Sequence, residues 1–270
     1  MKLLAAITTP FAADGSVDVD AFGAHVAWLE EMGLDGLFVA GTTGEGVLLD
    51  DAEVEALVTR ARGRGLRVIA QVGRVSTRAT IELGKRALGA GADAIAAYVP
   101  WFYAITEAQV REHFLAVLDA AGDAPAYIYN IPPRTVNDLS PAAAGDLARA
   151  GFAGMKDSTG DFERHQAYLE AVRGERFEVY TGTEPLVVQS ARAGAAGTIN
   201  GLSNCRPDLF VRLREALATD SGVEPLHDAI SALKTEVKSA DSSVAEIKRR
   251  VRSRLAERGI DYPAATRAPF

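Results

Sequence analysis

Apolar positions along the chain follow two periods in turn. Short β-type apolar runs alternate with stretches in which apolar residues recur three and four apart. The first run is Leu3–Thr8, stopped by Thr9-Pro10 and the Asp14-Gly15 turn. Phe22, Val26, Leu29 and Met32 then keep helical spacing, and Gly33 and Gly36 bracket the exit. Leu37–Ala40 predicts a second strand, and Asp51–Arg62 a helix whose early acids and late arginines suit its dipole. Val68–Val72 precedes a helix over Thr77–Leu88, with Gly89 and Gly91 as its stop signals. The same alternation continues with strand Ala94–Val99 and helix Glu107–Ala120, then Ala126–Tyr129 and Pro141–Ala150. Phe152–Lys156 and Phe162–Val172 follow, then Phe177–Tyr180 and Glu184–Ala193, then Gly197–Ile199 and Pro207–Leu217.

Eight strand–helix units in one uninterrupted run predict an α/β chain with a parallel sheet closed into a (β/α)8 TIM barrel. A doubly wound open sheet is the alternative, but no Gly-x-Gly-x-x-Gly follows the first strand. Two further stripes follow: Leu226, Ile230, Leu233 and Val237, then Val244, Ile247, Val251 and Leu255 behind a Ser242-Ser243 cap signal. They predict a C-terminal helical extension over 221–270, packed on a barrel over 1–220.

Composition narrows the function classes. The 270 residues are 48% hydrophobic and 24% charged, which excludes a disordered or disulfide-scaffold chain. A net charge of −7 argues against nucleic acid as a partner. No apolar stretch reaches the ~18 residues of a membrane span, and the Met1–Ile7 run halts too early for a signal-peptide core. No membrane association is therefore expected. The single cysteine, Cys205, makes no internal disulfide, so a cytoplasmic location fits, and it reads as a small buried residue rather than a nucleophile.

Barrel enzymes carry their chemistry at the C-terminal ends of the strands. Only six lysines occur, and Lys156 alone ends an apolar run. An exposed lysine holds about one free amine in 2,500 at pH 7, whereas burial favours the neutral amine that attacks a ketone. The plainer alternative pairs Lys156 with Asp157 or a neighbouring carboxylate. Tyr129 ends the fifth strand, and Thr42-Thr43 follow the second; a phenol and a hydroxyl can relay the protons of imine formation. A Gly-Thr-Thr-Gly turn can also aim backbone N–H groups at a carboxylate. Arg134, beyond the fifth strand, can bind a second carboxylate or a phosphate as a bidentate fork, or be a plain surface arginine. The four histidines fall on helices without metal-ligand spacing, so no metal is expected.

Four motifs in order resemble the dihydrodipicolinate synthase / N-acetylneuraminate lyase family of class I lyases. They are Thr8-Thr9-Pro10-Phe11 with Asp14-Gly15, Gly41-Thr42-Thr43-Gly44-Glu45, Tyr129-Asn130-Ile131-Pro132-Pro133-Arg134-Thr135, and Gly154-Met155-Lys156-Asp157-Ser158-Thr159-Gly160. The resemblance implies a covalent imine between Lys156 and pyruvate with no other cofactor. It implies Tyr129 as proton-transfer phenol, Thr43 as relay, and Thr42 with Thr43 on the pyruvate carboxylate. Gly182 and Ile199 would line the pocket, and Arg134 would bind the carboxylate of the incoming aldehyde. The partners implied are a small-molecule 2-oxo acid, an aldehyde, and further copies in a homodimer or homotetramer. Two departures stand out. Phe102 occupies the place of the synthases' relay tyrosine, which leaves Tyr103 or an ordered water as the relay. Gly46-Val47 replaces a small polar residue followed by Ala or Pro. With the pyruvate half intact and the aldehyde half altered, a 2-oxo-3-deoxy-acid-type aldolase is the leading expectation. The alternatives are a dihydrodipicolinate synthase condensing pyruvate with aspartate semialdehyde and, from another class, a non-catalytic 2-oxo-acid-binding barrel.

Overall fold

A computed structural model describes residues 1–269. Eight parallel strands join in sequence order into a closed barrel, with a helix after each. The (β/α)8 expectation is met.

Contacts divide the chain into two compact units. The first runs from Ile69 to Ile199. It contains most of β3 (Arg67–Gln71), then α3 (Thr77–Ala90), β4 (Ala94–Tyr98), α4 (Glu107–Ala121), β5 (Ala126–Asn130), α5 (Pro141–Ala150), β6 (Gly154–Asp157), α6 (Phe162–Ala171), β7 (Glu178–Thr181), α7 (Val187–Arg192) and all but the last residue of β8 (Gly197–Asn200). Every residue of β4, β5 and β6 is buried, as expected for strands with the barrel interior on one face and helices on the other. Helix starts are set by side-chain caps: Ser76, Thr106, Ser140 and Asp161 each accept a backbone N–H of the following first turn. Two expectations shift here. Gly89 does not stop α3, because a glycine weakens a helix without breaking its ladder; the stop is Gly91, left-handed at φ 103. The seventh helix begins as a 3-10 turn over Glu184–Leu186 and is α-helical only from Val187.

The second unit joins Lys2–Val68 with the chain from Asn200 onward. It contains β1 (Lys2–Ala6), α1 (Val19–Glu31), β2 (Gly36–Val39), α2 (Asp51–Ala61), α8 (Pro207–Thr219), α9 (Val223–Ser239) and α10 (Ser243–Ala256). Its core gathers Phe11, Phe22, Phe38, Phe210 and Leu255, all buried. The stripe Leu226, Ile230, Leu233 and Val237 is buried on α9, and Ile247, Val251 and Leu255 on α10, as their spacing predicts, while Val244 in the first turn of α10 is half-buried. After α10 the chain places Tyr262 in the interior, where its hydroxyl meets the Thr8 hydroxyl at 2.7 Å.

Candidate active site

Register sets the first part of the site. Tyr129 on β5 pairs with Lys156 on β6, and Tyr98 on β4 pairs with Tyr129. In-register residues of neighbouring strands point to one face, so the three side chains converge. Lys156 is 4% exposed, and its Nζ donates to the Tyr129 hydroxyl at 3.2 Å while lying 4.2 Å from that ring's centroid. The Tyr98 ring stacks on Tyr129 at 4.8 Å with 26° between planes, which fixes the phenol from the other side. Tyr98 was missed by the sequence reading; its signal was a tyrosine at the very end of an apolar strand, as for Tyr129.

Asp157 is not the partner of Lys156. Successive strand residues face opposite ways, and the Asp157 carboxylate turns to α6, where Oδ2 lies 2.8 Å from His165 Nδ1 and Oδ1 accepts the Thr159 N–H. His165 is thus a helix histidine that reaches the strand end next to the lysine. A polar cluster continues behind Tyr129: Asn130 Nδ2 donates to Asp138 and to the Tyr168 hydroxyl, and Arg164 binds Asp138 and the Leu139 carbonyl. Gly182 follows β7 at a close approach. A methyl there would fall 2.1 Å from Ser158 Oγ and 3.0 Å from Lys156 Cε, so the Ser158 hydroxyl fills the space and the lysine chain borders it. Ile199 is buried on β8.

In the second unit, Gly41-Thr42-Thr43-Gly44 forms a tight turn between Ala40 at φ 57 and Glu45 at φ 55. The Glu45 N–H donates to the Thr42 carbonyl, the Gly46 N–H to the Gly41 carbonyl, and the Thr9 hydroxyl to the Gly44 carbonyl. A side chain on Gly46 would lie 1.7 Å from the Ala40 carbonyl oxygen, so only glycine closes the turn. Among the described residues, nothing accepts from the N–H groups of Thr43 and Gly44. The Thr43 hydroxyl lies beside Gly201, 3.1 Å from where a Cβ would stand.

Arg134 is exposed, in a turn closed by its own N–H to the Ile131 carbonyl, and its guanidinium has no partner among the described residues. Asn137 ties this loop to the one after β4 by donating to the Pro100 and Tyr103 carbonyls. Phe102 takes φ 83, a strained value for a bulky residue, and Phe102 and Tyr103 are 66% and 68% exposed. That value kinks the loop between the two rings, and the Tyr103 ring meets Phe102 edge to face at 4.9 Å. Cys205 is buried, and burial pushes its thiol up to about 12, so it is not a nucleophile. Among the described residues no helix is long and apolar enough to cross a membrane.

Over its whole length, residues 1–270, the chain matches the Dihydrodipicolinate synthetase family. The chain belongs to that family. A 4-hydroxy-tetrahydrodipicolinate synthase of Stenotrophomonas maltophilia (strain K279a) is 36% identical over 240 residues, spanning 84% of this chain and 80% of that protein. A solved structure of YagE, a prophage protein of the dihydrodipicolinic acid synthase family from E. coli K12 in complex with pyruvate, has a TM-score of 0.92 at 26% identity, covering 100% of this chain and 92% of that one. A Sulfolobus solfataricus 2-keto-3-deoxygluconate aldolase variant in a pyruvate complex shares the fold, with a TM-score of 0.89 at 24% identity, covering 100% and 89%. Membership of the dihydrodipicolinate synthetase family makes this chain a pyruvate-dependent class I lyase. The non-catalytic 2-oxo-acid-binding alternative is thereby set aside.

Proposed function

We propose that this lyase joins Lys156 to pyruvate as an imine and makes or breaks the carbon–carbon bond next to it. The observation that carries the reading is the buried contact of Lys156 Nζ with the Tyr129 hydroxyl at 3.2 Å. Burial disfavours an ammonium ion and so favours the free amine. Nζ attacks the ketone carbon; the oxygen takes one proton from the amine and a second through Tyr129 and leaves as water, and the protonated imine remains. Loss of a proton from the neighbouring methyl gives an enamine that adds to an aldehyde carbon. Cleavage is the reverse. Thr42 and Thr43 hold the pyruvate carboxylate, a role supported by the undirected N–H groups at Thr43 and Gly44. The Thr43 hydroxyl passes the proton onward, while Gly182 and Ile199 keep the pocket clear and apolar. No metal or second cofactor takes part, and a homodimer or homotetramer is the assembly expected of it.

For the second substrate, the leading reading is a 2-oxo-3-deoxy-acid-type aldolase, because Phe102 lacks the hydroxyl at the relay position. A specific observation favours dihydrodipicolinate synthase activity instead. The guanidinium of Arg134 has no partner among the described residues and suits the carboxylate of aspartate semialdehyde, and the S. maltophilia relative bears that synthase name. Borohydride with pyruvate should inactivate the enzyme and leave a reduced pyruvyl adduct on Lys156 by peptide mass spectrometry; an adduct elsewhere, or none, refutes the mechanism. Pyruvate consumption with aspartate semialdehyde, compared with pyruvate release from 2-oxo-3-deoxy acids, then decides between the two substrates.

A further inference from the structure

The turn assigned to the pyruvate carboxylate is held from behind by a buried ion pair that the reaction itself does not use. Glu45, the last residue of the Gly-Thr-Thr-Gly-Glu motif, and Lys248 on α10 are both fully buried, with Nζ 2.5 Å from Oε1. The other Glu45 oxygen accepts the backbone N–H of Arg267 at 2.9 Å. Lys248 Nζ also donates to the Ala265 carbonyl at 2.7 Å and lies 4.3 Å from the centre of the Phe11 ring. The Arg267 guanidinium sits over the same ring at 4.4 Å and donates to the Leu48 and Gly15 carbonyls and to the Glu53 carboxylate. One segment near the C-terminus thus grips the chain where it leaves the turn, at Glu45 and Leu48.

A buried ion pair is a poor source of stability, because desolvation offsets its attraction; its attested value is to impose one arrangement. This turn needs imposing. Ala40 and Glu45, at its two ends, both sit in the left-handed region, and such strain persists only where surroundings over-determine it. Releasing the Glu45 carboxylate lets its backbone relax, and the N–H groups of Thr43 and Gly44 lose their common aim.

We propose that Lys248 and Arg267, acting through Glu45, are positioning residues that aim the Thr42–Thr43 turn at the substrate carboxylate. This inference rests on the proposed carboxylate role of that turn. The test compares the full-length wild type with Lys248→Met, the Glu45→Gln/Lys248→Met pair and Arg267→Ala. Each is assayed for thermal midpoint and for borohydride labelling of Lys156 as a function of pyruvate and of neutral pyruvamide. The wild type should prefer pyruvate. Lys248→Met and the pair should lose about tenfold or more of that preference, the loss of hydrogen bonds to a charged group, while labelling at saturating pyruvate persists. The pair, which leaves no buried charge uncompensated, should recover thermal midpoint relative to Lys248→Met without recovering the preference. A folded pair with wild-type preference overturns the proposal. Should the pair not fold, Arg267→Ala, on a half-buried residue, decides: an unchanged preference overturns the proposal, and a reduced one supports it. If the wild type itself shows no preference, the carboxylate role of the turn fails and the proposal falls with it. A preferring wild type with unmoved variants refutes the positioning role alone.

Discussion

Gly182 and Arg134 make opposite demands on the site, one for absence of side chain and one for presence of charge. A methyl on Gly182 meets Lys156 Cε at 3.0 Å and Ser158 Oγ at 2.1 Å. Ser158 can rotate away, but Lys156 must give by a few tenths of an ångström, and a whole ångström of misplacement at a reacting atom can cost roughly a hundredfold in rate. Gly182→Ala is expected to fold and to lose about three- to tenfold in imine formation, read by the rate of borohydride labelling. A variant labelled at the wild-type rate would mean that the lysine does not need this space. Arg134 is proposed to serve the second substrate instead. An ammonium replaces a bidentate fork poorly, so Arg134→Lys should raise the KM of the aldehyde or cleavable acid about tenfold, in line with a charged hydrogen bond, and leave pyruvate labelling of Lys156 nearly unchanged. Equal damage to both would make Arg134 a structural residue.

The loop after β4 poses its question at the scale of an element. Its left-handed Phe102 spends backbone strain to present two adjacent aromatics to solvent, and Asn137 staples it to the Arg134 loop. If Tyr129 and Thr43 relay protons as proposed, a third carrier would complete the chain, and a relay group contributes about 10²–10⁴-fold in rate. Tyr103→Phe keeps the ring and removes only the oxygen, so a kcat loss of at least roughly tenfold identifies the relay, and a smaller loss leaves the task to water. Elements such as this strand–loop pair were legible where local signals agree: buried β-type runs, a capping residue, a stop glycine. Their ends were less so, because a ladder partner rather than composition decides where a strand begins. Phe152 was read as strand, yet its N–H returns to the Leu147 carbonyl at the end of α5, and β6 starts at Gly154. Lys156 and Tyr129 were legible because strand ends announce them. Lys248 was not, although it continues the spacing of Val244, Val251 and Leu255, because a charged residue on a helix suggests solvent. The carboxylate that reverses that inference, Glu45, lies at the other end of the chain.

At the scale of the whole molecule, acid stability depends on buried imidazoles. Two of them are displaced from their usual titration by burial: His25, between Trp28 and Tyr262 in the second unit, and His113, against Phe114 in the first. Burial lowers both to about 4 from the usual 6.5. The sign follows from linkage. Between pH 6.5 and 4 the unfolded chain binds protons at these sites and the folded chain does not, so their contribution is complete above pH 6.5 and is lost as pH falls through 4. Each histidine puts up to about 3 kcal/mol at stake across that window. Two other effects act differently. The net charge of −7 shrinks toward the pI of 5.2, which relieves repulsion and favours the fold. Asp208 and Glu246, held below the usual carboxylate range by their arginine partners against the opposing effect of burial, begin to weaken the fold only below about pH 4.5. Stability that falls from pH 7 to 5 therefore reports the histidines, and His113→Gln should flatten that slope by about half whatever its effect on the absolute level. Chemical denaturation at pH 7, 6 and 5 measures it. Parallel slopes in variant and wild type would refute the assignment to His113, and a wild-type slope of the opposite sign would show that relief of charge repulsion outweighs both imidazoles.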